Sequence, residues 1–296
     1  MIIREQEPLS AHTTFRIGGP AAYYLIPENR DEVRDALVFA EEKKLPFYVL
    51  GRGSNMLFDD EGYEGVIIEI GRGMERVSME GMPDGRVRVT AQAGIAMSSL
   101  AVQLAEAELT GFAFAGGIPG TLGGGITMNA GAYGGEIRDC ILDATVITDS
   151  GEILVLAREQ LELGYRTSVI QKKNYIVLEG SFVFTRGKKE EIMAEIKELN
   201  QRRRDKQPLE FPSAGSTFKR PEGHFAGKLI QDAGLRGYRV GDAQVSEKHS
   251  GFVINRGNAT AAEVRQLIQD VQERVQEKFQ VRLEPEVRIV TMENKR

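Results

Sequence analysis

Ala115-Gly-Gly-Ile-Pro-Gly-Thr-Leu-Gly-Gly-Gly-Ile-Thr-Met-Asn-Ala-Gly-Ala-Tyr-Gly-Gly135 carries nine glycines in 21 residues and no charged side chain. Glycine loses the most backbone freedom on folding, so a folded chain concentrates it only under geometric need. That need is a positive φ, or a group lying directly against the main chain. A flexible linker is the plain alternative, but linkers are polar and Gly/Ser-rich. Here Ile118, Leu122, Ile126, Met128 and Tyr133 interleave with the glycines, and Pro119 stiffens the entry. The stretch therefore reads as an ordered loop that cradles a ligand. It has no basic side chain, so an anion bound there is held by backbone N–H groups.

Outward from this loop the chain alternates helical and strand periods. Asp31 opens a helical pattern with Val33, Leu37 and Ala40 on one face, and Phe47–Leu50 and Val66–Ile70 read as buried strands. The first ~70 residues are thus β-α-β, a common setting for nucleotide phosphates. Gly51-Arg-Gly-Ser-Asn55 follows the first of these strands. It begins like a dinucleotide fingerprint, but Met56 stands where the third glycine belongs and a strand follows instead of a helix. A Rossmann site is disfavoured. The turn can still present N–H groups, the Ser54 hydroxyl and the Asn55 amide to a phosphate, although an ordinary strand-end turn would look similar. Further on, Arg86–Thr90 alternates as a strand, and Ser98–Glu108 reads as a helix capped by Ser98 or Ser99. Asp149-Ser-Gly151 turns a hairpin, Ala157–Leu163 reads as a short helix, and Lys188 to about Arg204 as a charged one. Two prolines in Lys206–Pro212 mark a boundary. In the last part, Thr260-x-x-Glu263 is a capping box before Val264, Leu267, Ile268, Val271 and Val275.

Composition limits the function classes. In 296 residues, 38 Lys+Arg against 43 Asp+Glu give a net charge of −5, which argues against nucleic acid or an anionic membrane as partner. Cys140 is the single cysteine, so no internal disulfide forms, and a reducing, cytoplasmic setting is expected. No apolar run approaches a membrane span, the first residues lack a secretory signal pattern, and the three histidines have no metal spacing.

Several residues could carry chemistry. Ser216 follows Ser213-Ala-Gly, outside the Gly-x-Ser-x-Gly pattern of hydrolase nucleophiles. It could donate a proton to a carbanion in a dry pocket, or simply satisfy its own turn. Arg166, after Tyr165, offers a planar cation suited to carboxylate or phosphate, although most arginines are solvated. Glu284 and Glu286 flank Pro285 and share a face at a strand period of two, so Glu286 is one candidate acid among many. The basic run Arg202–Lys206 suits a helix C-terminus and could equally contact phosphate.

In order along the chain, Thr-Phe-Arg-Ile-Gly-Gly, Leu-Gly-Arg-Gly-Ser-Asn, Gly-Gly-Ile-Pro-Gly-Thr-Leu-Gly-Gly, Tyr-Arg-x-Ser, Ala-Gly-Ser-x-Phe-Lys and Glu-Val-Arg resemble the UDP-N-acetylenolpyruvoylglucosamine reductases, flavoenzymes of peptidoglycan precursor synthesis. The resemblance spans about Phe15 to Ile289. It implies an α+β chain: a PCMH-type FAD-binding fold of two α/β subdomains (1–72 and 73–205) and a C-terminal α+β substrate-binding domain (206–296). It implies that NADPH reduces FAD, and that the reduced flavin passes a hydride to C3 of the enolpyruvyl ether of UDP-N-acetylglucosamine. Ser216 matches the donor of a proton to C2. Arg166 and Glu286 match the residues that hold the substrate carboxylate and stabilise the enolic intermediate. Leu50, Gly51, Arg52, Gly53, Ser54 and Asn55 match one FAD loop. Gly116, Gly117, Ile118, Pro119, Gly120, Gly123, Gly124, Asn129 and Ala130 match the other. Tyr165, Lys206, Lys219 and Arg220 fall on the substrate side, and no metal is implied. The chain lacks the tyrosine-bearing insertion of the longer subclass and resembles the shorter one. A cytoplasmic monomer with small-molecule partners is expected. The rival readings are an oxidase of the wider PCMH flavin family and a catalytically silent nucleotide-sugar-binding protein.

Overall fold

The strand Ile176–Arg186 is buried along most of its 11 residues, as a strand in the middle of a sheet must be. In the computed structural model, which describes residues 1–291, it belongs to the first of two units, neither of them continuous in sequence. That unit comprises Met1–Arg4, Tyr24–Arg52 and Val66–Arg203. Its antiparallel sheet runs in the order Ile153–Ala157, Ile141–Ile147, Ile176–Arg186, Val87–Gln92, Val77–Gly81, with Leu109–Thr110 also on the central strand. The expected hairpin at residues 149–151 joins the first two. Phe47–Leu50 pairs in parallel with Tyr63–Glu69, from Phe47↔Val66 to Leu50↔Glu69. The helix Arg30–Lys43 starts where Asn29 Oδ1 accepts the Glu32 N–H at 3.0 Å, and it buries Val33, Ala36, Leu37 and Ala40.

Local expectations are corrected at four places. The helix Met97–Glu106 begins after Ala96 with no side-chain cap, because the Met97 N–H is taken by the Gly120 carbonyl. The segment after Ala157 is one 3-10 turn, Arg158–Leu161. The glycine-dense stretch is partly helical: a 3-10 turn, Ala113–Gly117, then a helix, Leu122–Thr127, capped by Thr121 Oγ1. Ser213–Ser216 is a strand with a register shift, with Gly215 at φ 76, and not a free turn.

The second unit comprises Glu5–Tyr23, Gly53–Gly65 and the chain from Arg204 onward. Its four-stranded antiparallel sheet has the order Ser213–Ser216, Phe252–Asn255, Ala243–Val245, Arg239–Val240. The helix Ala261–Phe279 has the expected capping box, and buries Val264, Leu267, Ile268, Val271 and Val275 against a core that also holds Phe15, Leu57, Phe218 and Ile230. The Asp60 carboxylate accepts the N–H groups of Ala261 and Ala262 at 2.7 and 3.0 Å, where the helix dipole favours an anion. Met56–Phe58 and Arg288–Val290 form a parallel pair in register Met56↔Arg288 to Phe58↔Val290.

Candidate functional site

In the first unit the glycines let main chain approach side chains that a Cβ would displace. Leu50 is buried, and its carbonyl accepts the Ile70 N–H at 2.8 Å. A Cβ on Gly51 would stand 2.5 Å from Thr121 Oγ1, so the end of the strand Phe47–Leu50 lies against the cap of the helix Leu122–Thr127. Gly123 is pinned to Ala93, with its N–H 2.8 Å from the Ala93 oxygen and its missing Cβ 2.9 Å from the Ala93 methyl. Gly124 is exposed beside it, as is Pro119, while Ile118 and Gly120 are half-buried. Gly116 abuts Ile196, and Gly117 abuts Asn200 Oδ1. The Gly117 carbonyl accepts from Arg203 Nη1. Arg203 meets no carboxylate among the described residues, and burial lowers its pKa.

Asn129 is fully buried at φ 44. Its Nδ2 donates to Glu136 Oε2 at 2.9 Å and to the Gly164 carbonyl at 3.1 Å, and its Oδ1 accepts the Arg138 N–H at 3.0 Å. The Ala130 N–H bonds the Gly125 oxygen, and its carbonyl accepts from Ile137. Both residues hold the stretch in shape. The bond to Gly164 also draws in the Tyr165-Arg166 turn. Arg166, at φ 55, donates from Nη2 to the Gly131 carbonyl at 3.4 Å and lies 5.2 Å from the centre of the exposed Tyr165 ring.

In the second unit a ladder gathers the other candidates. Gly53, at φ 58, leaves no room for a Cβ, which would fall 2.2 Å from the His12 oxygen. Ser54 follows, half-buried. Asn55 Nδ2 donates to the Glu286 carbonyl at 3.0 Å, and the Asn55 carbonyl accepts the Arg288 N–H at 3.0 Å. The Glu286 N–H in turn reaches the Thr217 carbonyl at 2.8 Å, and the Thr217 N–H reaches the Gly251 carbonyl at 2.9 Å. Ser216, exposed and paired with Phe252, thus stands one residue before Thr217, which meets Glu286. Glu284 is exposed and paired with Lys219 at 3.2 Å. Arg220 lies 4.0 Å from the Phe225 ring centre and donates from Nε to the His224 carbonyl at 3.3 Å. Lys206 is exposed at the end of the helix Lys189–Lys206.

The N–H groups of Arg52, Gly53, Ser54, Gly120 and Thr121 donate to no protein acceptor among the described residues. Neither glycine stretch holds a carboxylate between 51 and 55 or between 116 and 130. In the first unit the donors of Arg52, Gly120 and Thr121 fit a phosphate held by backbone dipoles, and in the second the consecutive donors of Gly53 and Ser54 suit an anion in the same way. Among the described residues, no cluster of three or more His, Cys, Asp or Glu could hold a metal ion, and no helix is long and apolar enough to cross a membrane.

Comparison with known proteins decides the family. The description "FAD binding domain" matches residues 21–157, and "UDP-N-acetylenolpyruvoylglucosamine reductase, C-terminal domain" matches 207–290. A UDP-N-acetylenolpyruvoylglucosamine reductase of Lachnoclostridium phytofermentans is 56% identical over 284 residues, covering 96% of this chain and 91% of the relative. The chain belongs to the UDP-N-acetylenolpyruvoylglucosamine reductase family. The reductase of Agathobacter rectalis is 51% identical over 293 residues, covering 97% and 93%. The crystal structure of the reductase from Thermus caldophilus superposes with a TM-score of 0.83 at 34% identity, covering 97% of this chain and 99% of that one. The expected α+β, PCMH-type FAD-binding fold with a reductase-family C-terminal part is borne out, and FAD is the cofactor of this fold.

Two residues in these contacts escaped the sequence reading. Thr121 caps a helix too short and too rich in glycine to show a period. Arg203 is hidden in a basic run, although Ile196, Asn200 and Arg203 recur at i, i+4 and i+7, a spacing that puts all three on the face turned to Gly116 and Gly117.

Proposed function

We propose that the protein reduces the enolpyruvyl group of UDP-N-acetylglucosamine enolpyruvate to give UDP-N-acetylmuramate for peptidoglycan synthesis, with NADPH as the electron source. Bound FAD supplies the two-electron relay between the two substrates. The observation that supports the reading most directly is the ladder Asn55–Glu286–Thr217, in which the Glu286 N–H reaches the carbonyl of Thr217, the residue after Ser216.

The residue roles follow from charge. Reduction of the enolpyruvyl double bond at C3 builds negative charge at C2 and on the carboxylate. A fixed cation and a nearby acid stabilise that charge best where water is excluded. Arg166 holds the carboxylate, and its left-handed backbone and its bond to Gly131 preset the guanidinium. Ser216 Oγ gives its proton to C2, and Glu286 stabilises the enolic form. Tyr165, Lys206, Lys219 and Arg220 line the substrate side. In the first unit the unpaired N–H groups of Arg52, Gly120 and Thr121 serve the cofactor phosphates, with Leu50, Gly51, Gly116–Pro119, Gly123 and Gly124 shaping that stretch and Asn129 and Ala130 supporting it; in the second, Gly53, Ser54 and Asn55 are assigned to the same cofactor. The protein acts as a cytoplasmic monomer and binds no nucleic acid.

The test is optical. Purified protein loaded with FAD is yellow, anaerobic NADPH bleaches it, and UDP-N-acetylglucosamine enolpyruvate restores the colour. Restoration by oxygen alone at catalytic speed, with none by the nucleotide, makes the protein an oxidase instead.

A further inference from the structure

Thr14 opens Thr14-Phe-Arg-Ile-Gly-Gly19, a stretch that none of the assigned roles uses. In the second unit this half-buried residue touches two segments that carry site residues. Its N–H donates to the Gly53 carbonyl at 3.2 Å. Its Oγ1 donates to the Ser213 carbonyl at 2.7 Å, and its own carbonyl accepts the Ser213 N–H at 3.2 Å. Both main-chain polar groups of Ser213 are thus held by one residue. Thr14 also stands on firm support. Phe15 beside it is buried in the core of this unit, and the Phe15 carbonyl accepts from Asn255 Nδ2 at 3.2 Å.

These bonds close a ring. From Gly53 the chain runs to Asn55, whose Nδ2 reaches the Glu286 carbonyl. The Glu286 N–H reaches the Thr217 carbonyl, the strand leads back through Ser216 to Ser213, and Thr14 joins Ser213 to Gly53. Ser216, Glu286 and Gly53 therefore sit on one closed circuit of main chain and hydrogen bonds. Its weak arc is Ser213–Ser216. That strand meets its neighbour at Ser213↔Ile254 and Ser216↔Phe252, with a register shift between them and Gly215 at φ 76. A bulge disrupts the ladder and bends the strand, and glycine adds backbone freedom there. Where Ser216 points then depends on how the first residue of the strand is anchored, and the Thr14 hydroxyl is bonded to that residue.

We propose that Thr14 is a positioning residue for the proton transfer to the substrate: through Ser213, its hydroxyl fixes where the bulged strand presents Ser216 relative to Glu286 and the turn Gly53–Asn55. The main-chain N–H of Thr14 holds Gly53 whatever the side chain is, so the hydroxyl can be removed without releasing the turn. This inference rests on the reductase reading above, which gives Ser216 the proton.

The test uses FAD-loaded, full-length Thr14→Val, which keeps the branched shape and loses the hydroxyl, and Thr14→Ser, which keeps the hydroxyl. In anaerobic stopped-flow, NADPH bleaches Thr14→Val within about twofold of the wild-type rate, since that half-reaction does not use Ser216. Recovery of colour with UDP-N-acetylglucosamine enolpyruvate slows by about ten- to a hundredfold, the scale of a small misplacement of a reacting group. Thr14→Ser brings that rate back to within about threefold of wild type, the remainder reflecting its less restricted rotamer. A second readout needs no turnover. Amide hydrogen exchange over residues 213–217 becomes about tenfold faster in Thr14→Val, the effect of one lost hydrogen bond, while exchange over 53–55 is unchanged. Equal slowing of both half-reactions, an unslowed second half, no rescue by Thr14→Ser, or unchanged exchange over 213–217 overturns the proposal. If Thr14→Val does not fold, Thr14→Ala takes its place, and failure of both to fold makes the hydroxyl a structural requirement and overturns the positioning role. Failure of the reductase reading looks different: the bleached wild-type protein is then not restored by the nucleotide, while the exchange measurement still reports the Thr14 contact.

Discussion

Asn55 Nδ2 donates to the main-chain oxygen of Glu286 at 3.0 Å, joining residues 231 positions apart. With the Arg288 N–H on the Asn55 carbonyl, the two contacts fix the segment that presents Glu286. Asn55→Ala removes one hydrogen bond and leaves a half-buried carbonyl short of a donor. The expected cost is about 1 kcal/mol of stability. The activity loss should exceed what that predicts, because a small displacement of a reacting group is expensive. Thermal melting and steady-state turnover of the variant measure the two effects; a kcat equal to wild type would show that Asn55 does not position Glu286.

Gly53 is the position in the Gly51–Asn55 turn where the backbone demands glycine. Gly53→Ala combines a strained φ of 58° with a Cβ only 2.2 Å from the His12 oxygen, a main-chain atom that cannot swing aside. The N–H groups beside it then lose their alignment. Purified Gly53→Ala is expected to hold little flavin, read from its visible absorption, and to melt well below wild type. Gly124→Ala, where the nearest atom is Thr121 Oγ1 at 3.6 Å, is the tolerant comparison.

The sequence made the outline of these sites legible because hydrophobic period and glycine density are local signals. The capping box at Thr260, the apolar face behind it and the hairpin at Gly151 all depend on neighbours within about a turn. What it concealed is long-range. Asn129 reads as a cofactor ligand beside the glycines, yet its amide is committed to Glu136, Gly164 and the Arg138 N–H, contacts that no local pattern encodes. Ser213–Ser216 reads as a turn because Gly215 suggests one, whereas pairing with Phe252–Asn255 draws it into a sheet and the glycine becomes the site of a bulge. The contact of His249 is equally hidden, because its partner is a backbone N–H two residues on.

Arg203 ties the helix Lys189–Lys206 to the glycine segment through the Gly117 carbonyl, with no carboxylate among the described residues to balance its charge. Its positive charge therefore favours an anion near Gly116–Gly117. Arg203→Met keeps the apolar stem and removes both the hydrogen bond and the charge. FAD affinity of the apoprotein, followed by quenching of flavin fluorescence, is expected to fall about tenfold. Arg203→Lys should recover part of the loss, since it restores charge but not the planar fork.

Cys140 gives a pH signature. Burial, with Asp139 adding to it, pushes the thiol from its ordinary 9.0 up to about 12. A folded-state pKa above the unfolded value stabilises the fold fully below the unfolded pKa, and that stability is lost as pH rises toward the folded one. Stability should therefore decline between about pH 9 and pH 12, and Cys140→Ala should flatten that part of the curve in denaturant titrations. Below pH 9 the native thiol stays protonated, so a thiol-specific disulfide reagent should react with the native protein far more slowly than with the unfolded chain. Reaction with the native protein at pH 8 as fast as with the unfolded chain would contradict the raised pKa.

Ser216 provides the sharpest separation of the two half-reactions. Its hydroxyl is assigned to the proton that reaches C2, a step that belongs to reduction of the enolpyruvyl group and not to oxidation of NADPH. Ser216 pairs with Phe252 through its backbone and is exposed, so Ser216→Ala leaves the strand and its ladder intact. Anaerobic stopped-flow should therefore show bleaching by NADPH within about twofold of wild type. Recovery of colour on adding UDP-N-acetylglucosamine enolpyruvate should slow by about 10²–10⁴-fold, the usual scale for losing a general acid. Ser216→Cys, which keeps a transferable proton at nearly the same place, should recover part of the second rate. Equal slowing of both halves in Ser216→Ala would remove the serine from proton transfer and make it a binding residue for both substrates.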